Sequence, residues 1–202
     1  MKEFKYLIQD KNKSRDISEI ATEYYKNELS KKIFIWNSRN TRFYVFDSVE
    51  ELKNFILSKP QSERTYHEVI FGQRPQKIKF DIDKANPEAF KEIMLAIKKV
   101  WKEKYNLNAD IFVFTTSPDY SYHVIINLYL PSVKQVLEFY EAVKKVLIYN
   151  GNASEQYLDA RYSSIQNFRL MYCSKQPYGP IKLPLDKSVK FEESLVSYIS
   201  SN

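Results

Sequence analysis

Lys77-Ile78-Lys79-Phe80-Asp81-Ile82-Asp83 is the stretch that decides the fold. At a period of two, Ile78, Phe80 and Ile82 point to one face and Lys77, Lys79, Asp81 and Asp83 to the other, the pattern of a half-buried strand with a polar working face. Residues two apart on a strand are separated by about 6.6 Å, so the two carboxylates address one place and repel each other unless a cation lies between them. A divalent metal removes that repulsion. The alternative is a solvated sheet face, because Asp-x-Asp recurs in many unrelated strands.

Working outward, Tyr66 to Phe71 is a second β-rich run, and Gly72-Gln73-Arg74-Pro75 between the two predicts a hairpin whose outgoing strand is the acidic one. Asn86-Pro87 starts a helix that runs through Phe90, Ile93, Met94, Ile97 and Trp101 to Tyr105. Two strands follow, Ile111 to Thr115 and Ser121 to Leu130, joined at Ser117-Pro118-Asp119. Ser132 and Gln135 form a capping box that opens a helix to Ile148, and a last strand runs from Gln166 to Tyr172. Toward the N-terminus, Asp16 to Lys31 has helical spacing, Ile33 to Trp36 and Arg42 to Phe46 read as a hairpin, and Ser48 with Glu51 caps a helix that ends before Pro60. The order predicts an α+β fold of two layers, a mainly antiparallel sheet with helices on one side. With 3 Gly in the whole chain there is neither a dinucleotide-binding fingerprint nor a phosphate loop.

A length of 202 residues with 44% hydrophobic and 28% charged side chains fits one globular domain with its own core. The formal charge of +6 favours an acidic partner such as nucleic acid or nucleotide. One cysteine and 2 histidines exclude a disulfide framework and a structural zinc site. No run resembles a signal peptide or reaches the roughly 20 apolar residues of a membrane span, so the expectation is a soluble, intracellular protein with no membrane partner.

Two further strands add polar groups to the acidic one. In Ser121-Tyr122-His123-Val124, Ser121 and His123 share a face; in Gln166-Asn167-Phe168-Arg169-Leu170, Asn167 and Arg169 share a face and Phe168 and Leu170 point inward. Asp159 precedes the last strand and Lys175 follows it. Two-metal phosphoryl chemistry needs such a set: carboxylates that hold metals about 3.5–4 Å apart, and cations or hydrogen-bond donors that cradle a triphosphate.

In this order and spacing the chain resembles the archaeo-eukaryotic primase superfamily, in its primase-polymerase branch that includes viral primase-helicases. The resemblance runs from Arg42 to Lys175 and rests on Tyr66-His67-Glu68-Val69-Ile70, Phe80-Asp81-Ile82-Asp83, Ser121-Tyr122-His123, Asp159 and Asn167-Phe168-Arg169-Leu170 with Lys175. It implies an RRM-like antiparallel sheet with helices packed on it, joined to a small N-terminal α/β lobe: residues 1–62 as the lobe, 63–180 as the catalytic core and 181–202 as an extension. The activity implied is that of a DNA primase or primase-polymerase, a nucleotidyltransferase that synthesises or extends primers on a single-stranded DNA template from nucleoside triphosphates with two Mg2+ or Mn2+ ions. Asp81, Asp83 and Asp159 are then the metal ligands and catalytic carboxylates. Ser121, His123, Asn167, Arg169 and Lys175 contact the triphosphate, and Arg42 approaches the template and nucleotide. A helicase domain or subunit is the implied partner. Two positions depart from the family: Asp119 stands where relatives often have lysine, and Gln166 where they often have arginine. A non-catalytic nucleic-acid-binding module of the same fold and a two-metal nuclease are the competing expectations.

Overall fold

The computed structural model describes residues 1–4, 31–116, 120–151, 153–159 and 165–198. The helix expected over 16–31 and the Ser117-Pro118-Asp119 turn lie outside the described residues. The remainder is α+β, with two antiparallel sheets and three helices among the described residues. The five-stranded sheet has the order β1-β3-β2-β4-β8, from β1 (Lys2–Phe4), β2 (Ile33–Asn37), β3 (Arg42–Phe46), β4 (Tyr66–Phe71) and β8 (Ile165–Arg169). The four-stranded sheet has the order β5-β7-β6-β9, from β5 (Gln76–Ile82), β6 (Ile111–Thr116), β7 (Ser121–Leu130) and β9 (Leu183–Pro184).

The helices form where caps and apolar stripes agree. In α1 (Val49–Leu57), Ser48 accepts from the Glu51 N–H at 3.1 Å, and Leu52 and Ile56, one turn apart, are buried. In α2 (Pro87–Tyr105), Asn86 accepts from the Ala89 N–H at 2.8 Å and Pro87 fills the first turn. Asn106 ends the helix in the left-handed region at φ 46°. In α3 (Val133–Tyr149), Ser132 caps the start, and Val136, Phe139, Tyr140, Val143 and Leu147 are buried. The buried stripes of α2 and α3 cover the face of the four-stranded sheet that carries Ile78, Phe80, Ile82, Val124 and Ile126. No helix among the described residues is long and apolar enough to cross a membrane.

The structure corrects four expectations. Tyr66–Phe71 and the acidic strand do not form a hairpin: β4 pairs with β2 and β8, while β5 pairs with β7. Gly72–Pro75 is a crossover between sheets, fixed by its own bonds: the Gly72 carbonyl accepts from the Val133 N–H at 2.7 Å, and the Gln76 amide donates to the Arg74 carbonyl at 3.2 Å. There are consequently two sheets rather than one. The face of β5 opposite the helices packs against the other sheet, where Ile125, Phe112 and Phe114 join Tyr66, Ile70, Phe168 and Leu170 in a second core. Lys77 and Lys79 are therefore buried, at 4% and 6% exposure, instead of lying on a solvated face. The last strand ends at Arg169 rather than Tyr172, because the chain turns there to cross toward β9.

β5 is an edge strand, and both ends of its free edge are covered. At the start, the Lys77 N–H donates to the Val196 carbonyl at 2.8 Å. At the far end, Ile82 bridges Leu158, and the Asp83 N–H donates to the Tyr157 carbonyl at 2.9 Å.

Candidate active site

The far end of β5 gathers most of the residues singled out above. β5 and β7 pair Asp81 with His123 and Ile82 with Tyr122, so Ser121 comes level with Asp83. His123 Nε2 stands 3.4 Å from Asp81 Oδ1, and the Ser121 hydroxyl donates to Asp83 Oδ1 at 3.3 Å. Asp159 is tied to the same place through the main chain, its N–H donating to the Asp81 carbonyl at 2.9 Å. Three acids from two segments thus meet a histidine and a serine on the paired strand.

Phe168 closes the site from the other sheet. Its ring stacks on His123 with centroids 4.4 Å apart, and the Lys79 and Lys182 ammoniums lie 4.9 and 4.2 Å from its centroid. Asn167 and Arg169, which alternate with Phe168, lie on the opposite face of their sheet, paired with Val69 and His67. Asn167 is exposed there. The Arg169 charge nevertheless acts on Asp81, His123 and Lys182. Lys175 is exposed and lowers the pKa of His67. Arg42 pairs with Asn37 at the end of the β2–β3 hairpin, three strands from β8 in the sheet order, or about 14 Å at the usual strand spacing. It lies in the five-stranded sheet, whereas Asp81 lies on β5 of the four-stranded one.

The electrostatics mark this end as strained. Burial pushes the Asp81 carboxyl up to about 6, and the Asp83 charge pushes it further in the same direction, against Lys79 and Arg169. Burial also pushes Lys79 down to about 8 and Lys182 down to about 7. His123 is held neutral, well below the ordinary histidine value, by burial and then by the charges of Lys182, Arg169 and Lys79. Its buried Nδ1 has no hydrogen-bond partner among the described residues.

Asp81 and Asp83 are hard oxygen donors that repel each other, which suits Mg2+ or Mn2+. Among the described residues no three His, Cys, Asp or Glu side chains form a ready metal cage. Mg2+ does not need one, since it commonly takes one or two carboxylates and completes its shell with phosphate oxygens and water.

Lys79, Lys182, Phe168 and Glu68 were not singled out as site or anchor residues in the sequence. Lys79 could have been, because it shares the Asp81 face; Lys182 could not, because the carbonyl it holds is 13 residues away across a turn.

The fold and site define an α+β protein with a carboxylate-histidine centre between two sheets. No protein-family model matches the chain. It is similar to the "Putative helicase/primase complex protein" of African swine fever virus. With that of isolate Pig/Kenya/KEN-50/1950 it is 27% identical over 192 residues, covering 81% of this chain and 18% of that protein. With that of strain Badajoz 1971 Vero-adapted it is 26% identical over 202 residues, covering 81% and 19%. A shorter match, to isolate Tick/Malawi/Lil 20-1/1983, is 32% identical over 81 residues and covers 40% and 7%. The chain spans less than a fifth of the length of these relatives.

Proposed function

We propose that this chain is the core of a metal-dependent, template-directed nucleotidyltransferase of the archaeo-eukaryotic primase superfamily, making or extending primers on single-stranded DNA. The observation that carries this is the pairing of Asp81 with His123 and of Asp83 with Ser121, with Asp159 bonded to the Asp81 main chain. The name of the viral relatives supports a role in replication and a helicase partner or domain. Residues 1–62, 63–180 and 181–202 act in this reading as one catalytic unit.

Asp81, Asp83 and Asp159 hold the Mg2+ or Mn2+ ions. Bound there, such ions would supply activation of the primer 3′-hydroxyl and neutralisation of the charge that builds on the phosphates. His123, kept neutral, presents Nε2 toward Asp81 and is braced by the Phe168 ring, so its orientation is set before substrate arrives. Ser121 fixes the Asp83 carboxylate. Arg169, whose charge reaches Asp81 and His123, supplies a cation for the triphosphate of either an NTP or a dNTP, while the template follows other basic surface.

Incubation with a primed single-stranded DNA, all nucleotides and Mn2+ or Mg2+ tests the proposal. Template-dependent extension is expected. Binding without synthesis would favour a non-catalytic module, and shortening of the DNA a nuclease.

A further inference from the structure

Lys182 sits on the connection between β8 and β9, which crosses from one sheet to the other. Its main chain is held on both sides: the Tyr172 N–H donates to the Lys182 carbonyl, and the Lys182 N–H to the Cys173 carbonyl, each at 2.9 Å. The side chain is fully buried, at 0% exposure. Its Nζ donates to the Arg169 carbonyl at 2.7 Å and lies over two rings, 4.2 Å from the Phe168 centroid and 4.8 Å from the Phe114 centroid. Among the described residues no carboxylate forms an ion pair with it.

Burying an ammonium against one carbonyl and two aromatic faces leaves much of its hydration uncompensated. The charged groups around it do not make up the difference. Arg169 from β8 opposes its charge; Asp81 from β5 and Glu68 from β4 favour it, and the Cys173 thiol on its own segment is kept neutral by burial. His123 from β7 and Lys79 from β5 share the Phe168 ring with it. Of the two acids, Glu68 is already engaged by three donors, from Val196 and Ser197. The two rings and the carbonyl hold a cation that has no ion-pair partner among the described residues, against the main chain of the arginine assigned to phosphate.

We infer that Lys182 is a positioning residue for a bound polyphosphate: it fixes the Arg169 carbonyl, and it takes up a proton from solvent when the ligand's negative charge arrives. This rests on the nucleotidyl-transfer reading for the class of ligand. The amine, mostly neutral above pH 7 in the free protein, becomes an ammonium when phosphates supply the missing charge, and apparent affinity therefore falls as pH rises above neutrality.

The test uses wild-type protein with isotopically labelled lysine and saturating Mg2+ throughout. The side-chain resonance of Lys182, assigned by its loss in Lys182→Met, is followed against pH with and without inorganic tripolyphosphate. The expected result is a titration midpoint near neutrality that moves up by about one pH unit or more with tripolyphosphate, roughly a tenfold change in proton affinity. Calorimetry at pH 7.5 in buffers of different ionisation enthalpy should show proton uptake in the wild type and less in Lys182→Met. A midpoint at the ordinary lysine value, a midpoint that tripolyphosphate does not move, or no response of the protein to tripolyphosphate overturns the inference. Primer extension with an unmoved Lys182 sinks this inference alone; a moving Lys182 without extension sinks nucleotidyl transfer alone.

Discussion

The two ends of β5 bury ionisable groups between the same pair of sheets and treat them in opposite ways. At the start of the strand, Glu68 is fully buried, yet its two oxygens accept from the Val196 N–H at 2.7 Å, the Ser197 N–H at 2.8 Å and the Ser197 hydroxyl at 2.6 Å. That carboxylate is satisfied, and it ties the C-terminal segment across both sheets. At the far end, Asp81 faces the Asp83 charge, His123 has an unpartnered Nδ1, and Lys182 has one carbonyl and two rings. A buried carboxylate matched by donors holds a fold together, whereas buried groups short of partners, as at the far end, are the ones for which the proposed function supplies a ligand.

The comparison breaks most visibly through activity. Asp81→Asn should lower primer extension by at least a thousandfold, about 4 kcal/mol of lost transition-state stabilisation, while leaving the fold unchanged or firmer by about 1 kcal/mol. Extension rates and urea unfolding, measured on the same preparation, check both halves.

Glu68→Ala should do the reverse. Removing a fully buried carboxylate strands three donors and costs about 3 kcal/mol of unfolding free energy. Extension per folded molecule should stay within a few-fold of wild type below the melting transition. A variant that loses activity while fully folded would show that the strap also serves the site.

His123→Ala should raise the nucleotide KM about tenfold, or about 1.4 kcal/mol, with little change in the affinity for single-stranded DNA read by fluorescence anisotropy. An unchanged KM would return His123 to the role of a packed core residue.

The smallest effect lies in the pH dependence of stability. His67 has a folded value lowered to about 4 by burial, so its contribution is complete above its ordinary value of 6.5 and is lost as pH falls through 4. Asp81 runs the other way. Its folded value is raised from 3.8 to about 6, so its contribution is present below 3.8 and lost as pH rises through 6. Between pH 4 and 6 the two oppose each other, and removing one should expose the other. Urea midpoints of Asp81→Asn should rise more steeply with pH in that window than those of the wild type.

The site was more legible in the sequence than the fold around it. Alternation in Lys77–Asp83 and Ser121–Val124 gives side-chain faces directly, and the pairing of β5 with β7 then brings Ser121 and His123 level with the acids. Gly72–Pro75 misled because a tight turn and a crossover use the same residue types; what separates them is a partner strand that begins at Ser121, far along the chain. The lysines of β5 misled for a related reason. A long aliphatic stem can be buried with its ammonium against a ring, as Lys79 is against Phe168, and a two-residue period cannot distinguish that from solvent.

The most direct measurement is the unfolding free energy of wild type and Asp81→Asn with and without Mn2+ and a nucleoside triphosphate. Ligands that bind only the folded state at a hundred times their dissociation constant stabilise it by about 2.7 kcal/mol. The account predicts a gain of that size in the wild type and little or none in Asp81→Asn, although the variant is at least as stable alone. Equal gains in both proteins, or none in the wild type, would contradict a metal-nucleotide site at the far end of β5.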